Sequence, residues 1–187
     1  MTKNEISNIL NLLGKSICLA HDYYSIYESM YNAFKTRSEE MNISPGFFNV
    51  TKMAIRQALC IETSKIFDTD ERTYSLHNIM NLCSKHFPET RSDIEILYKK
   101  EIEIEKHINN IKNARNKYFA HNDKRIENFP NYLADNAVSM IEFKGVLNYI
   151  VEVYNVLSKH LENPWFFIPR NINDLTKMLN KLHNSKE

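Results

Sequence analysis

Apolar side chains recur along the first forty residues at Ile6, Leu10, Leu13, Ile17, Ala20, Tyr24, Tyr27, Tyr31 and Phe34. The steps alternate between four and three, which puts all nine on one face of a helix over roughly 3–41. Such a seam suits either a coiled coil or a helix that faces a bundle core. The core-facing reading is the simpler of the two.

Five further helical stretches follow, the last of them short. Ser44-Pro45 reads as a cap and first turn for a helix over about 46–67, whose stripe runs Ile55, Leu59, Glu62, Ile66. Ser75 caps a short helix over 76–87, and Pro88 stops it. Thr90 with Asp93 resembles a capping box for a long helix over 91–119, with the stripe Ile94, Leu97, Ile104, Ile108, Ile111. A polar stretch, "AHNDKRIENFPNYLADN", reads as a loop. Ser139 with Glu142 is a second capping box, opening a helix whose seam is Phe143, Leu147, Ile150, Tyr154, Leu157 and Leu161. "NPWFFIPRN" breaks it, and a short helix over 172–183 closes the chain. The aromatic "PWFFIP" (164–169) suits a cover for the bundle end or a contact with another copy. The expected fold class is all-α, an up-and-down bundle of four to five main helices plus a short C-terminal helix.

Composition agrees. Three glycines and five prolines in 187 residues are too few for a turn-rich β fold. Hydrophobic content of 43% with 25% charged residues is globular, and neither a repeat nor a linker divides the chain, so 1–187 reads as one domain. The three cysteines, Cys18, Cys60 and Cys83, are far apart and read as reduced thiols of a cytoplasmic protein. No apolar run is long enough for a membrane span, and Asn8, Asn11, Gly14 and Lys15 interrupt the first twenty residues, which argues against a leader peptide.

The formal net charge is +1, so any basic function must be local. It concentrates in one place. Lys112, Arg115, Lys117, Lys124 and Arg125 face only Asp123 between 112 and 125, with Tyr118 and Phe119 interleaved. Arg115 also stands where the stripe of its helix calls for an apolar residue. A guanidinium there must be paired, face a groove, or simply reach water beyond the core. Glu62 interrupts the stripe of the second helix in the same way. A Glu62–Arg115 pair between the helices would orient the guanidinium; two unrelated solvated charges is the alternative.

An arginine suits the charge that builds on a phosphate oxygen during displacement, and a histidine suits proton transfer near neutral pH. Arg115 and His121 together therefore suit metal-free RNA cleavage, with the 2′-hydroxyl as nucleophile. No metal-ligand spacing and no paired carboxylates appear, and no cofactor motif is present. In a uniform α-helix six residues place His121 about 120° around the axis from Arg115 and about 9 Å along it. The two would not share a contact, so either the chain turns back after Phe119 or a second copy completes the site. Arginine and histidine at similar spacing also occur in "RTYSLH" (Arg72, His77), but there in a polar turn. The remaining histidines are scattered and read as surface or satisfied groups.

"RNKYFAHND" resembles the Arg-x(4–6)-His signature of HEPN domains, most closely their abortive-infection U-type branch; "ETSKIFD" (62–68) and "YSLHNIM" (74–80) are similar to that branch too. The resemblance covers about residues 45–160. It implies a helical bundle that forms a homodimer with two motifs facing one cleft, and a metal-independent endoribonuclease acting in phage defence or as a toxin, with a separate antitoxin protein where one exists. Carried over, Arg115 and His121 are the catalytic pair and Asn116 the polar residue after the arginine. Lys112, Lys117, Tyr118 and Lys124 would hold RNA, with Glu62 behind Arg115. The alternative is a HEPN-like dimer without catalysis that binds RNA, a nucleotide or a protein partner.

Overall fold

The computed structural model describes residues 1–119, 138–165, 167, 168 and 172–184; for 117–119 it describes the backbone alone. All regular elements among these residues are helical: α1 (Lys3–Thr36), α2 (Ser38–Met41), α3 (Pro45–Ile66), α4 (Leu76–His86), a 3-10 turn (Pro88–Thr90), α5 (Arg91–Asn113), a π-helical turn (Ala114–Phe119), α6 (Met140–His160) and α7 (Asp174–Asn184).

Four long helices form the bundle, and side-chain pairs fix their directions. Tyr154 meets Asn11, while the Tyr24 hydroxyl donates to the carbonyl of Met140, so α1 and α6 run antiparallel. His160 meets Asp93 and Tyr149 meets Glu101, so α5 and α6 are antiparallel as well. Phe67, just past α3, stacks on Tyr149 and is therefore level with Glu101. Because α3 also packs against the π turn some twenty Å further along α5, it must run back along that helix. The chain thus goes up, down, up, down, as the periodicity predicts.

The seams are the core. Ile6, Leu10, Leu13, Ile17 and Ala20 of α1, Ile94, Leu97, Ile108 and Ile111 of α5, and Phe143, Leu147, Ile150, Tyr154 and Leu157 of α6 are all buried in one cluster. At one end a smaller cluster joins Met30 and Ala33 of α1, Met41, Phe48 of α3 and Leu179 of α7. Gly14 marks the tightest approach of α1 and α6: a Cβ there would lie 3.3 Å from the Tyr154 ring.

The helix ends follow their sequence signals in part. Thr2 with Glu5 and Ser139 with Glu142 form complete capping boxes. Ser75 caps α4 through Asn78 N–H. Ser44 precedes Pro45 as expected, yet its hydroxyl makes no cap bond. Thr90 and Asp93 form no box: the Thr90 hydroxyl donates back to the Phe87 carbonyl, and Asp93 takes His160 at 2.7 Å. The first helix is shorter than expected. Arg37 leaves helical geometry (φ −136°, ψ 42°), and its guanidinium bonds Asn180 of α7 at 2.8 Å. Trp165 and Ile168 are exposed, while Phe167 turns in against His21 and Tyr154, part-way along α1 and α6, so this part of the aromatic stretch lies along the flank of the two helices and not over the bundle end. The expected loop over 120–136 lies outside the described residues.

Candidate functional site

α5 buries Ile94, Leu97, Ile108 and Ile111 against the core, with the carboxylate Glu101 on the same face between Leu97 and Ile104, and packs against α3 and α6. At Ala114 the α-helix gives way to a π turn, in which each N–H reaches back five residues instead of four. The wider turn rotates each residue by less than an α-helix would. Uniform α geometry, on which the 120° and 9 Å separation of Arg115 and His121 depends, therefore ends at Asn113. π turns inside helices are rare and concentrate at functional sites.

Arg115 sits at the second position of that turn and is half-buried. Its Nη1 donates to Oδ1 of the adjacent Asn116 at 3.2 Å. Among the described residues no carboxylate forms an ion pair with it. Glu62, expected as its partner, instead accepts from Lys65 Nζ at 2.6 Å, and the Glu62 side chain is only 13% exposed. The physical reason is reach: Lys65 lies one turn on along the same helix, while Arg115 must cross from another. α3 does pack against the π turn, so Glu62 belongs to the helix beside the arginine, with its ion pair made to Lys65.

Arg72, the other arginine with a histidine at similar spacing, is held by Asp70 through three contacts of 2.6–3.2 Å. Its charge is spent locally in a turn that the Asn78 amide pins at two carbonyls. Arg115 has no such carboxylate among the described residues, and its planar fork suits two oxygens of one phosphate.

Lys112 occupies the last turn of α5, where the helix dipole favours a cation. Its field also reaches Glu101, eleven residues earlier on the same face. The side chains of Lys117 and Tyr118, and all of His121 and Lys124, lie outside the described residues. The structure therefore joins Arg115 to Asn116 and pairs Glu62 with Lys65.

One polar cluster was not legible from the sequence. His77 Nε2 approaches both oxygens of Glu101, at 2.7 and 2.9 Å, and the Tyr149 hydroxyl donates to Glu101 at 2.8 Å. Phe67 and Tyr98 flank the imidazole. Burial works against the Glu101 charge, but the bonds from His77 and Tyr149 win and hold its carboxyl below the ordinary value. These residues stand 24 and 48 positions apart, with no local motif to mark them. Other histidines are satisfied as expected: His160 by Asp93 and His183 by Glu40. His21 is buried beside Phe167, and burial pulls its pKa down.

Burial pushes the Cys60 and Cys83 thiols up to about 12, far from nucleophilic character. Among the described residues no three His, Cys, Asp or Glu side chains group as metal ligands, and no helix is long and apolar enough to cross a membrane.

Comparison with known proteins adds a family. The HEPN family model described as AbiU2 matches residues 3–183. No curated protein and no solved structure matches the chain.

Proposed function

The chain belongs to the AbiU2 family of HEPN domains, an abortive-infection group, and we propose that within it this protein is a metal-independent endoribonuclease. One observation carries the reading. Arg115 stands at the end of a buried apolar face, in a π turn, with its guanidinium bound to Asn116 and to no carboxylate among the described residues. A cation so placed is stabilised by an incoming phosphate.

The reaction that fits is transesterification. A base removes the proton of the RNA 2′-hydroxyl, whose oxygen attacks the adjacent phosphorus. The bond to the 5′-oxygen breaks, and that oxygen takes a proton from an acid. The products are a 2′,3′-cyclic phosphate and a 5′-hydroxyl end. Arg115 stabilises the charge on the phosphorus-bound oxygens, with Asn116 holding the guanidinium in place. His121 supplies the acid or base function, and its counterpart from a second copy supplies the other. Lys112, Lys117, Tyr118 and Lys124 position RNA by charge and stacking. The setting is a cytoplasmic homodimer acting in phage defence or as a toxin, with any antitoxin a separate protein.

The test is RNA cleavage in the presence of EDTA by the wild type and His121→Ala. Cyclic-phosphate ends from the wild type alone support the proposal. A folded wild type inert on every RNA class, or an equally active His121→Ala protein, overturns it.

A further inference from the structure

A second half-buried arginine stands on α3. Arg56 lies within about 40° of Cys60 and Thr63 on the helix surface, and both of those are buried. It therefore occupies the inward side of α3, and its charge is felt at the Cys60 thiol one turn further on. Among the described residues Arg56 makes no hydrogen bond and no ion pair. A guanidinium drawn part-way out of water is stabilised by an anion that meets it there.

Its level in the bundle links it to Arg115. α3 runs antiparallel to α5, with Phe67 level with Glu101. Arg56 precedes Phe67 by eleven residues, and Lys112 follows Glu101 by eleven. Both steps are roughly 16 Å in the same direction, so Arg56 and Lys112 stand level on neighbouring helices. Arg115 comes within one turn of Lys112, in the π turn that packs against α3. Lys112 is half-buried as well and makes no ion pair among the described residues.

Charge is segregated to match. Residues 45–61 and 106–119 together carry six Lys and Arg and no Asp or Glu, in a chain with 24 basic and 23 acidic residues. Two of the six have other company. The Lys52 ammonium lies 4.6 Å from the Phe34 ring centroid, and the Glu142 carboxylate of α6 feels Lys106 together with His107. Arg56, Lys112 and Arg115 remain as three half-buried cations on two packed elements. One phosphate at Arg115 leaves the other two unmet, whereas a strand with a phosphate at every link meets all three. We infer that Arg56 is a positioning residue that, with Lys112, holds the RNA phosphate next to the one at Arg115. This rests on the ribonuclease reading and adds a requirement to it: the substrate presents at least two consecutive phosphates.

Binding of non-cleavable 2′-O-methyl RNA to the full chain tests it, with wild type, Arg56→Gln and Arg56→Lys. Two ligands are compared: a mixed-sequence strand of about ten nucleotides, and a dinucleoside monophosphate, which has a single phosphate. On the long strand Arg56→Gln should bind about 10-fold more weakly at low salt. The slope of log affinity against log salt should fall by about 0.7, the share of one phosphate on a single strand. Arg56→Lys should recover most of both. On the single-phosphate ligand Arg56→Gln should match wild type. Its denaturant midpoint should be unchanged or higher, because no partner is lost. An unchanged slope, an equal loss on both ligands, a lowered midpoint, or a wild type that binds neither ligand overturns the inference. Failure of each idea is distinguishable. Arg56-dependent binding by a protein that cuts no RNA sinks the ribonuclease reading alone. RNA cleavage by Arg56→Gln with the wild-type KM on long strands sinks the Arg56 subsite alone.

Discussion

His77 of α4 and Glu101 of α5 form a close pair, Nε2 to Oε1 at 2.7 Å, in a half-buried site that the Tyr149 hydroxyl closes from α6. Three helices are tied by one carboxylate. Hydrogen bonds to a charged group are worth about 1.5–3 kcal/mol each when a buried partner is lost. Glu101→Gln should therefore cost about 1–3 kcal/mol of stability near pH 7. The Glu101 carboxyl is held below its ordinary value of 4.5, so its contribution is complete above that value and disappears as pH falls through the depressed one. Denaturant melts from pH 7 to pH 3 check this. The gap between wild type and variant should narrow in acid, and a constant gap would contradict the assignment.

Two serines that look alike in sequence should behave differently. The Ser139 hydroxyl accepts from Glu142 N–H at 3.3 Å while the Glu142 carboxylate accepts from Ser139 N–H at 2.7 Å. Ser44 makes no side-chain cap bond. Ser139→Ala should lose about 1 kcal/mol and lower Tm by about 2–4 °C, whereas Ser44→Ala should stay within about 0.5 kcal/mol of wild type. Thermal melts of the two variants side by side decide it, and equal losses would refute the distinction.

Glu162 ends α6 with φ at 54°, the left-handed region. The turn is a Schellman motif: Asn163 N–H reaches the Ser158 carbonyl at 2.9 Å and Glu162 N–H reaches Lys159 at 3.3 Å. Glycine adopts this geometry without a Cβ penalty. Glu162→Gly forfeits the ion pair with Lys3, which is solvent-exposed and screened. Relief of left-handed strain, about 1–2 kcal/mol, should outweigh that loss together with the extra unfolded-chain entropy of glycine, about 0.4–1 kcal/mol. Calorimetry should show a slightly higher Tm; a lower one would mean that the Lys3 contact matters more than the backbone.

The long stripes were legible because they are local. Ile94 to Ile111 and Phe143 to Leu157 repeat at helical spacing, and burial at those positions is what a bundle imposes on such a repeat. Interruptions carried less information. Thr90-x-x-Asp93 has the letters of a capping box, but the 3-10 turn after Pro88 already gives Thr90 helical angles (φ −85°, ψ −14°), so its hydroxyl turns back to Phe87. "TRSEEM" contains no glycine or proline, so nothing in it announces the break at Arg37, which a tertiary bond to Asn180 holds. Arg115 was visible as a charge in an apolar stripe. The π turn around it was not, since neither residue type nor spacing encodes an extra residue per turn. Glu62 was rightly placed on the neighbouring helix and wrongly paired, because sequence gives each helix's face but not the competition between Lys65 and Arg115 for one carboxylate.

Arg115 offers the sharpest separation of function from stability. Its guanidinium meets Asn116 and no buried carboxylate among the described residues, so removing it leaves no buried charge unpaired. Arg115→Ala should keep stability within about 0.5 kcal/mol of wild type. On the ribonuclease reading, losing a donor that stabilises transition-state charge should slow cleavage by about 100-fold or more. Arg115→Lys keeps the charge and loses the fork, so RNA affinity should fall little while the cleavage rate stays well below wild type. Single-turnover cleavage at saturating protein, read beside a denaturant melt, separates the two effects. If Arg115→Ala unfolds the protein, the arginine is structural. If Arg115→Lys cleaves at the wild-type rate, a point charge suffices there and the planar geometry has no part in the reaction.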